Sequence, residues 1–326
     1  MTGPLAAGVL AGDRRALAKA ITLIESRRRD HRETASALLD AILPNTGGAV
    51  RVGVSGSPGA GKSSVIEALG MHALGQGHRV AVLAVDPSSK RSGGSVLGDK
   101  TRMAELARHP GAYIRPSPSG GTLGGVARQT RDALLLCEAA GFDLVLVETV
   151  GVGQSEVAVA DLVDLFLLIA SPTGGDELQG IKRGIMELAD VIVVNKADGA
   201  LRDAADRAAA DLRNAVHLLR PKRPGWEVEV RTCSALEGRG IVELWDALSA
   251  DHRRLAASGE LDELRSHQAT SGMWGEISEA LLDRLRADPQ VQDRLPGLQA
   301  DVAAGHLSAR AAAEELLQVL NRLPSD

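Results

Sequence analysis

The chain has 326 residues, 44% of them hydrophobic and 24% charged, with a formal net charge of −5. That length allows a sizeable buried core, while 2% aromatic residues leave Ala, Val and Leu to fill it and give no stacking platform for single-stranded nucleic acid. The mild acidity excludes a nucleic-acid polyanion as the expected partner, and no run approaches the ~18 apolar residues of a membrane span.

Met1–Leu10 is apolar but short and glycine-broken, without a charged leader, so it does not read as a signal peptide. The two cysteines, Cys137 and Cys233, are far apart and frame neither a disulfide set nor a metal motif, which fits a reducing, cytoplasmic setting. Residues 1–48 read as a helical extension: Leu17, Ala20, Ile21 and Ile24 fall at helical spacing, as do Ala35, Leu38, Leu39 and Ile42. Arg27, Arg28, Arg29 and Arg32 read as a solvated helix face. Pro44, Asn45, Gly47 and Gly48 end the region.

Residues 49–250 change character. The apolar runs Val50–Ser55, Val80–Val85, Asp143–Val147, Val163–Ala170 and Val191–Val194, with a last one at Val228–Arg231, alternate with helical segments. Unbroken apolar runs suit strands covered on both faces. The alternation predicts an α/β domain with a mostly parallel sheet flanked by helices. Residues 251–326 return to helix, with Ile277, Ala280, Leu281 and Leu285 on one face and Ala312, Leu316, Val319 and Leu323 on another. This tail packs on the α/β body or on a second subunit.

Between the first run and the helix that follows lies Gly56-Ser57-Pro58-Gly59-Ala60-Gly61-Lys62-Ser63, a full match to G-x-x-x-x-G-K-[ST]. Glycines let such a loop curl until its amides point at phosphate oxygens. Lys62 supplies a charge for the β- and γ-phosphates, the Ser63 hydroxyl suits Mg²⁺, and the helix starting near Lys62, with Ser64 in its first turn, adds its positive end. Asp86 closes the second run and precedes a loop of small residues leading to Asp99 and Lys100. Such a loop reads as a switch that orders on a γ-phosphate, or as a plain surface loop. Glu148-Thr149-Val150-Gly151 follows Leu144–Val147. Many GTPases carry Asp at the first of these positions, holding Mg²⁺ directly or through water; here it is Glu, one methylene longer. The Gly151 amide is placed to bond a γ-phosphate. Gln154 reads as a water-positioning residue or as a polar residue at a helix start. Gly174–Gly180, followed by Lys182 and Arg183, reads equally as a third switch and as a connection.

Asn195-Lys196-Ala197-Asp198 directly follows Val191–Val194, at a strand's carboxyl end, where open α/β sheets hold ligands. A carboxylate there accepts from guanine N1–H and the 2-amino group. Adenine offers neither donor, so the site discriminates by leaving Asp198 unpaired. The Lys196 stem covers one face of the base and the Asn195 amide ties loops together. Ser234, Ala235 and Leu236, after the last run, resemble the serine-alanine segment that supports the base in GTPases.

Asp86-Pro87-Ser88-Ser89, Ser92-Gly93-Gly94-Ser95, Leu97–Met103, Arg115–Ser119, Glu148–Gln154 and Asn195–Asp198 together resemble the methylmalonyl-CoA mutase-associated GTPases of the MeaB/ArgK type, a family that includes the human mitochondrial MMAA protein. The resemblance implies a central P-loop GTPase domain with helical extensions and a homodimer formed partly by the carboxyl-terminal arms. It implies Mg²⁺-dependent GTP hydrolysis, with GTP or GDP bound, that guards the loading of adenosylcobalamin into methylmalonyl-CoA mutase or a related B12-dependent acyl-CoA mutase. Asp86, Asp99 and Glu148 then surround the Mg²⁺, and Asp176–Lys182 is a switch that answers to the mutase. Two other functions compete. A protein kinase of transport proteins usually needs an adenine site, which Asp198 opposes. A metal-insertion GTPase generally needs Cys or His clusters, whereas the eight histidines are scattered.

Overall fold

The computed structural model describes residues 2–26, 28–85, 103–116, 123–149, 155–172, 183–223 and 225–320. They form two compact units, Met1–Gln268 and Ala269–Asp326.

The first unit is built on seven strands: β1 Val50–Gly56, β2 Val80–Val85, β3 Ala112–Pro116, β4 Leu144–Thr149, β5 Leu165–Ala170, β6 Val191–Val194 and β7 Glu229–Thr232. The helices are α1 Thr2–Leu10, α2 Arg14–Ile24, α3 Arg29–Ile42, α4 Lys62–Gly75, α5 Ala104–Arg108, α6 Leu123–Ala139, α7 Ser155–Ala160, α8 Arg183–Leu188, α9 Arg202–His217, α10 Ile241–Ser258, α11 Glu260–Ala287, α12 Pro289–Ala303 and α13 Ala309–Leu320. The sheet order is β3-β2-β4-β1-β5-β6-β7. Every pairing in it is parallel, so the expected mostly parallel sheet is a wholly parallel one among the described residues.

β2, β4, β5 and β6 are buried along their whole length. Successive residues point to opposite faces, and two cores result. Leu83, Val147, Phe166, Leu168 and Ile192 join the helices α1–α3, α6 and α9 on one side. Val82, Leu146, Leu167, Ile169 and Val193 join α4 and α10 on the other. The amino-terminal helices thus share a core with the sheet, through Leu17, Ile21, Leu38 and Ile42.

One strand and several boundaries depart from the sequence reading; β5, for example, starts at Leu165 rather than Val163. β3 is an additional strand; its run Ala112-Tyr113-Ile114 is short and stops at Arg115-Pro116, as an edge position tolerates. β4 extends through Glu148 and Thr149 rather than ending at Val147, because both of its neighbours pair at Glu148 and β2 still pairs at Thr149. β7 runs to Thr232, one residue beyond the apolar signal, held by pairing with Val194.

In the second unit, Asp288 caps α12 by accepting from the amides of Gln290 at 2.8 Å and Val291 at 3.2 Å. Val291, Leu298 and Ala312 are buried. In α11, Met273, Trp274, Ile277, Leu281 and Leu282 are exposed.

Candidate functional site

The carboxyl ends of β1, β4 and β6 gather the sequence-predicted residues. β1 ends at Gly56, where a Cβ would collide with the Ile169 carbonyl oxygen, so no side chain fits. The chain then turns through half-buried Ser57, exposed Pro58 and Gly59, and buried Ala60, whose amide donates to Ser57 O at 3.2 Å. Gly61 stands at the amino end of α4 with φ +89°, and a Cβ on it would collide with Asn195 Nδ2. Having no side chain, Gly61 cannot cap the helix. The amides of Lys62, Ser63 and exposed Ser64 therefore belong to the set that an α-helix leaves without intrahelical partners. With the helix dipole they make an anion site.

Lys62 Nζ donates to Gly56 O at 2.9 Å and Ser57 O at 3.3 Å, so the ammonium lies against the loop's own carbonyls. Ser63 Oγ donates to Glu148 Oε1 at 3.2 Å. Glu148 is buried and rigidly placed, since β4 pairs with β1 and β2 on either side of it. Its neighbour Thr149 donates from Oγ1 to Ser55 Oγ at 2.8 Å. A hydroxyl and a carboxylate side by side at the phosphate loop are hard oxygen donors, the type Mg²⁺ takes.

Asn195, buried just past β6, joins three loops. Its Nδ2 donates to Ala60 O at 3.0 Å, and its Oδ1 accepts from the Ala235 amide at 3.1 Å and from Cys233 Sγ at 3.5 Å. Burial, with the nearby Asp198 charge, pushes the Cys233 thiol up to about 12, which keeps it protonated as a donor. Lys196 has φ +62°, the one non-glycine residue at positive φ among the described residues. Its Cε lies 4.0 Å from where a Cβ on Gly61 would stand, so its stem runs beside the phosphate loop. Asp198 Oδ2 accepts from Ser234 Oγ at 2.5 Å, and that same hydroxyl oxygen accepts from the Glu237 amide at 3.1 Å. Leu236 is 87% exposed and takes no part in this bonding.

The structure thus brings Gly56–Ser64, Glu148, Asn195, Lys196, Asp198, Ser234 and Ala235 to one edge. Asp86, Asp99, Gly151, Gln154 and Asp176–Lys182 lie outside the described residues. Among the described residues, no group of three or more His, Cys, Asp or Glu could hold a metal ion, and no helix is long and apolar enough to cross a membrane. Sequence reasoning does not reach Arg239, whose guanidinium donates to the Ala197 carbonyl inside the Asn195–Asp198 motif. A signal for it exists: Arg239 stands between Gly238 and Gly240, three residues after Leu236 of the serine-alanine segment.

Comparison with known proteins gives the family of the chain. The family model described as methylmalonyl Co-A mutase-associated GTPase MeaB matches residues 17–290. A probable GTPase of Mycobacterium tuberculosis is 55% identical over 317 residues, covering 97% of this chain and 94% of that protein. The mitochondrial methylmalonic aciduria type A homolog of Mus musculus is 49% identical over 321 residues, covering 95% of this chain and 77% of that one. The crystal structure of an LAO/AO transport system kinase superposes with a TM-score of 0.76 at 40% identity, covering 98% of this chain and 97% of that one. The chain belongs to the MeaB family of methylmalonyl-CoA mutase-associated GTPases and is itself a GTPase that binds GTP and GDP.

Proposed function

We propose that this GTPase acts as a chaperone of an adenosylcobalamin-dependent acyl-CoA mutase, methylmalonyl-CoA mutase foremost, guarding cofactor loading and reactivation. The family's name and the mouse relative's name support that partner. Under this reading the protein works in the cytoplasm as a homodimer built with residues 251–326, the exposed apolar face of α11 being available for the contact.

At the site, the amides of Gly56–Ser64 other than Pro58, which has no N–H, and Lys62 Nζ hold and neutralise the phosphates, replacing water with fixed dipoles and charge. Asn195 keeps that loop in register with the base pocket. Asp198 accepts from the guanine edge, Lys196 covers a face of the base, and Ser234, Ala235 and Leu236 back it. Ser63, Asp86, Asp99 and Glu148 are the oxygen donors for Mg²⁺, which when bound offsets charge on the β- and γ-phosphates. The Gly151 amide reports the γ-phosphate. The observation that carries the nucleotide reading is the Asn195 amide, bonded at once to the phosphate loop and to the base-supporting segment.

The test of the partner is phosphate release measured with and without purified mutase, in its cofactor-free and cofactor-loaded forms. A rate that rises with mutase is expected; equal rates throughout overturn the chaperone role. Asp198→Asn tests the base reading: GTP affinity falls about tenfold or more while the fold is kept, and an unchanged guanine preference refutes the assignment.

The solved relative named as an LAO/AO transport system kinase favours a second reading, transfer of phosphate to a transport protein. It predicts labelled γ-phosphate retained on a protein acceptor rather than released. Asp198, which has no donor to accept from on adenine, speaks against ATP as the source.

A further inference from the structure

We infer that Arg239 is a positioning residue for guanine recognition, acting through the backbone of the Asn195–Asp198 turn. The inference rests on Asp198 being the base-reading carboxylate.

The turn is held in a state that an L-residue adopts at a cost. Lys196 has φ +62°, and Asp198 follows at φ −129° and ψ 165°. Such a conformation persists only where its surroundings fix it from both sides. Upstream, the Asn195 amide donates to Ala170 O at 3.0 Å. Downstream, the two peptide planes around Ala197 are each pinned. The Ala197 amide donates to Cys233 O at 2.9 Å, which sets the plane between Lys196 and Ala197. The Ala197 carbonyl accepts from Arg239 Nη2, which sets the plane between Ala197 and Asp198. Because a peptide is planar, orienting that carbonyl also orients the amide of Asp198 and places the Cα from which its side chain springs.

Arg239 is itself anchored to the other wall of the base pocket. Its carbonyl accepts from the Ser234 amide at 2.9 Å, in an isolated antiparallel bridge. Ser234 Oγ in turn holds Asp198 Oδ2. One residue thus fixes Asp198 twice, by its side chain through Ala197 and by its main chain through Ser234. Glu237 Oε2, 3.3 Å from Arg239 Nη2, keeps the guanidinium aimed inward although the side chain is 39% exposed. A substitution removes only the first of the two holds, so the pocket survives with its carboxylate misaligned.

Misalignment has a signature that general loosening lacks. Guanine gives Asp198 two donors, N1–H and the 2-amino group; hypoxanthine gives it only N1–H. Loss of alignment therefore weakens GDP more than IDP, whereas a looser site weakens both alike. The experiment measures GDP and IDP affinity by calorimetry with Mg²⁺, and steady-state GTP hydrolysis, for the full chain and for Arg239→Ala, Arg239→Lys and Asp198→Asn.

For Arg239→Ala the GDP Kd rises about tenfold, as for loss of a charge-assisted hydrogen bond. The IDP Kd rises less than about threefold, the GDP-over-IDP preference narrows, and kcat at saturating GTP stays within about twofold. Arg239→Lys recovers part of the preference, because one ammonium can still reach one carbonyl. A wild-type GDP-over-IDP ratio in Arg239→Ala, whether affinities are unchanged or fall together, overturns the inference. Should Arg239→Ala fail to fold, the ratio in Arg239→Lys decides in the same way. Loss of preference in Asp198→Asn alone removes only the role of Arg239; preference kept in Asp198→Asn removes the reading of Asp198 beneath it.

Discussion

The two edges of the sheet set their charged side chains in different surroundings. At the amino edge, Asp164 and Asp190 are fully buried and wrapped in cations from distant segments. Asp164 accepts from the Arg51 amide at 2.9 Å and from Arg265 Nε and Nη2 at 2.8 and 2.7 Å, with His252 Nε2 at 3.5 Å. Asp190 accepts from the Phe166 amide at 2.7 Å and from Lys222 and Arg223 at 2.9 and 3.4 Å. At the carboxyl edge, the partners of Lys62 include two backbone carbonyls and those of Glu148 include a hydroxyl. Carboxylates are matched to cations where the fold closes, while at the phosphate loop an ammonium and a carboxylate also lie against carbonyls and a hydroxyl. A charge kept for a ligand should matter to turnover and little to stability; a charge matched within the chain should do the reverse.

The largest expected effect tests the first half of that rule. Lys62→Ala removes the charge assigned to the phosphates and should lower GTP turnover by about a thousandfold, the scale of losing a main electrostatic contributor. Lys62 is part-buried and its hydrogen bonds to two carbonyls are of ordinary strength, so stability should change far less than turnover, by about 1 kcal/mol. Phosphate release and urea unfolding on the same preparation measure both. A variant that unfolds readily, or that turns over normally, breaks the contrast.

Arg265→Ala tests the second half. It strips the bidentate partner from a carboxylate with no solvent exposure, together with bonds to Gly47 O and Ala49 O at 2.5 and 2.7 Å that tie down the segment entering β1. A buried charge left without its partner costs about 3 kcal/mol or more, while kcat in the folded fraction stays near normal. The effect carries a pH sign. Burial alone pushes the Asp164 carboxyl up, but the nearby His252 ring and the hydrogen bonds from Arg265 and the Arg51 amide outweigh it and hold the group below its ordinary 3.8. A depressed carboxylate adds stability above its unfolded value and loses it as pH falls through the folded one. The gap between wild type and Arg265→Ala in urea midpoints should therefore be full at neutral pH and shrink in acid below about pH 4.

The two edges also differ in how far the sequence discloses them. Gly56–Ser63 is contiguous, and its chemistry needs residues within one turn, so the motif is complete in the sequence itself. Asn195–Asp198 is equally local, and the strand before it identifies the edge. The amino-edge knots are assembled from Arg51, Asp164, His252 and Arg265, separated by up to 214 positions (265 − 51), and no spacing rule connects them. Arg239 lies between: near a legible motif in sequence, yet its role depends on a carbonyl direction that only the fold sets. β3 escapes sequence reading because three apolar residues ahead of Arg115-Pro116 fall below what periodicity can detect, although pairing with β2 suffices to form it.

Asp251 is the acid that departs from the amino-edge pattern, and it gives the smallest and sharpest test. It lines a cleft of about 690 Å³ with Trp226, Glu229 and Arg254. Its partner Arg254 stands at 3.6 Å and is also drawn over the Trp226 ring, 3.7 Å from its centroid. Burial raises the carboxyl from 3.8 to about 6; Arg254 opposes the rise, and the charges of Asp190 and Glu229 add to it. Between those values the folded chain keeps a proton that the unfolded chain has released. Stability therefore falls as pH rises from about 4 to about 6, and the cost is complete above that window. Asp251→Asn escapes the cost but gives up the Arg254 pair, so the net gain should be about 1 kcal/mol at pH 8. It should vanish below about pH 4, where the wild-type carboxyl is protonated in both states. Urea unfolding of the two proteins across that range decides the matter. A gain that does not depend on pH would mean that Asp251 is constrained by packing rather than by charge, and that ion-for-ion matching is not what orders this edge.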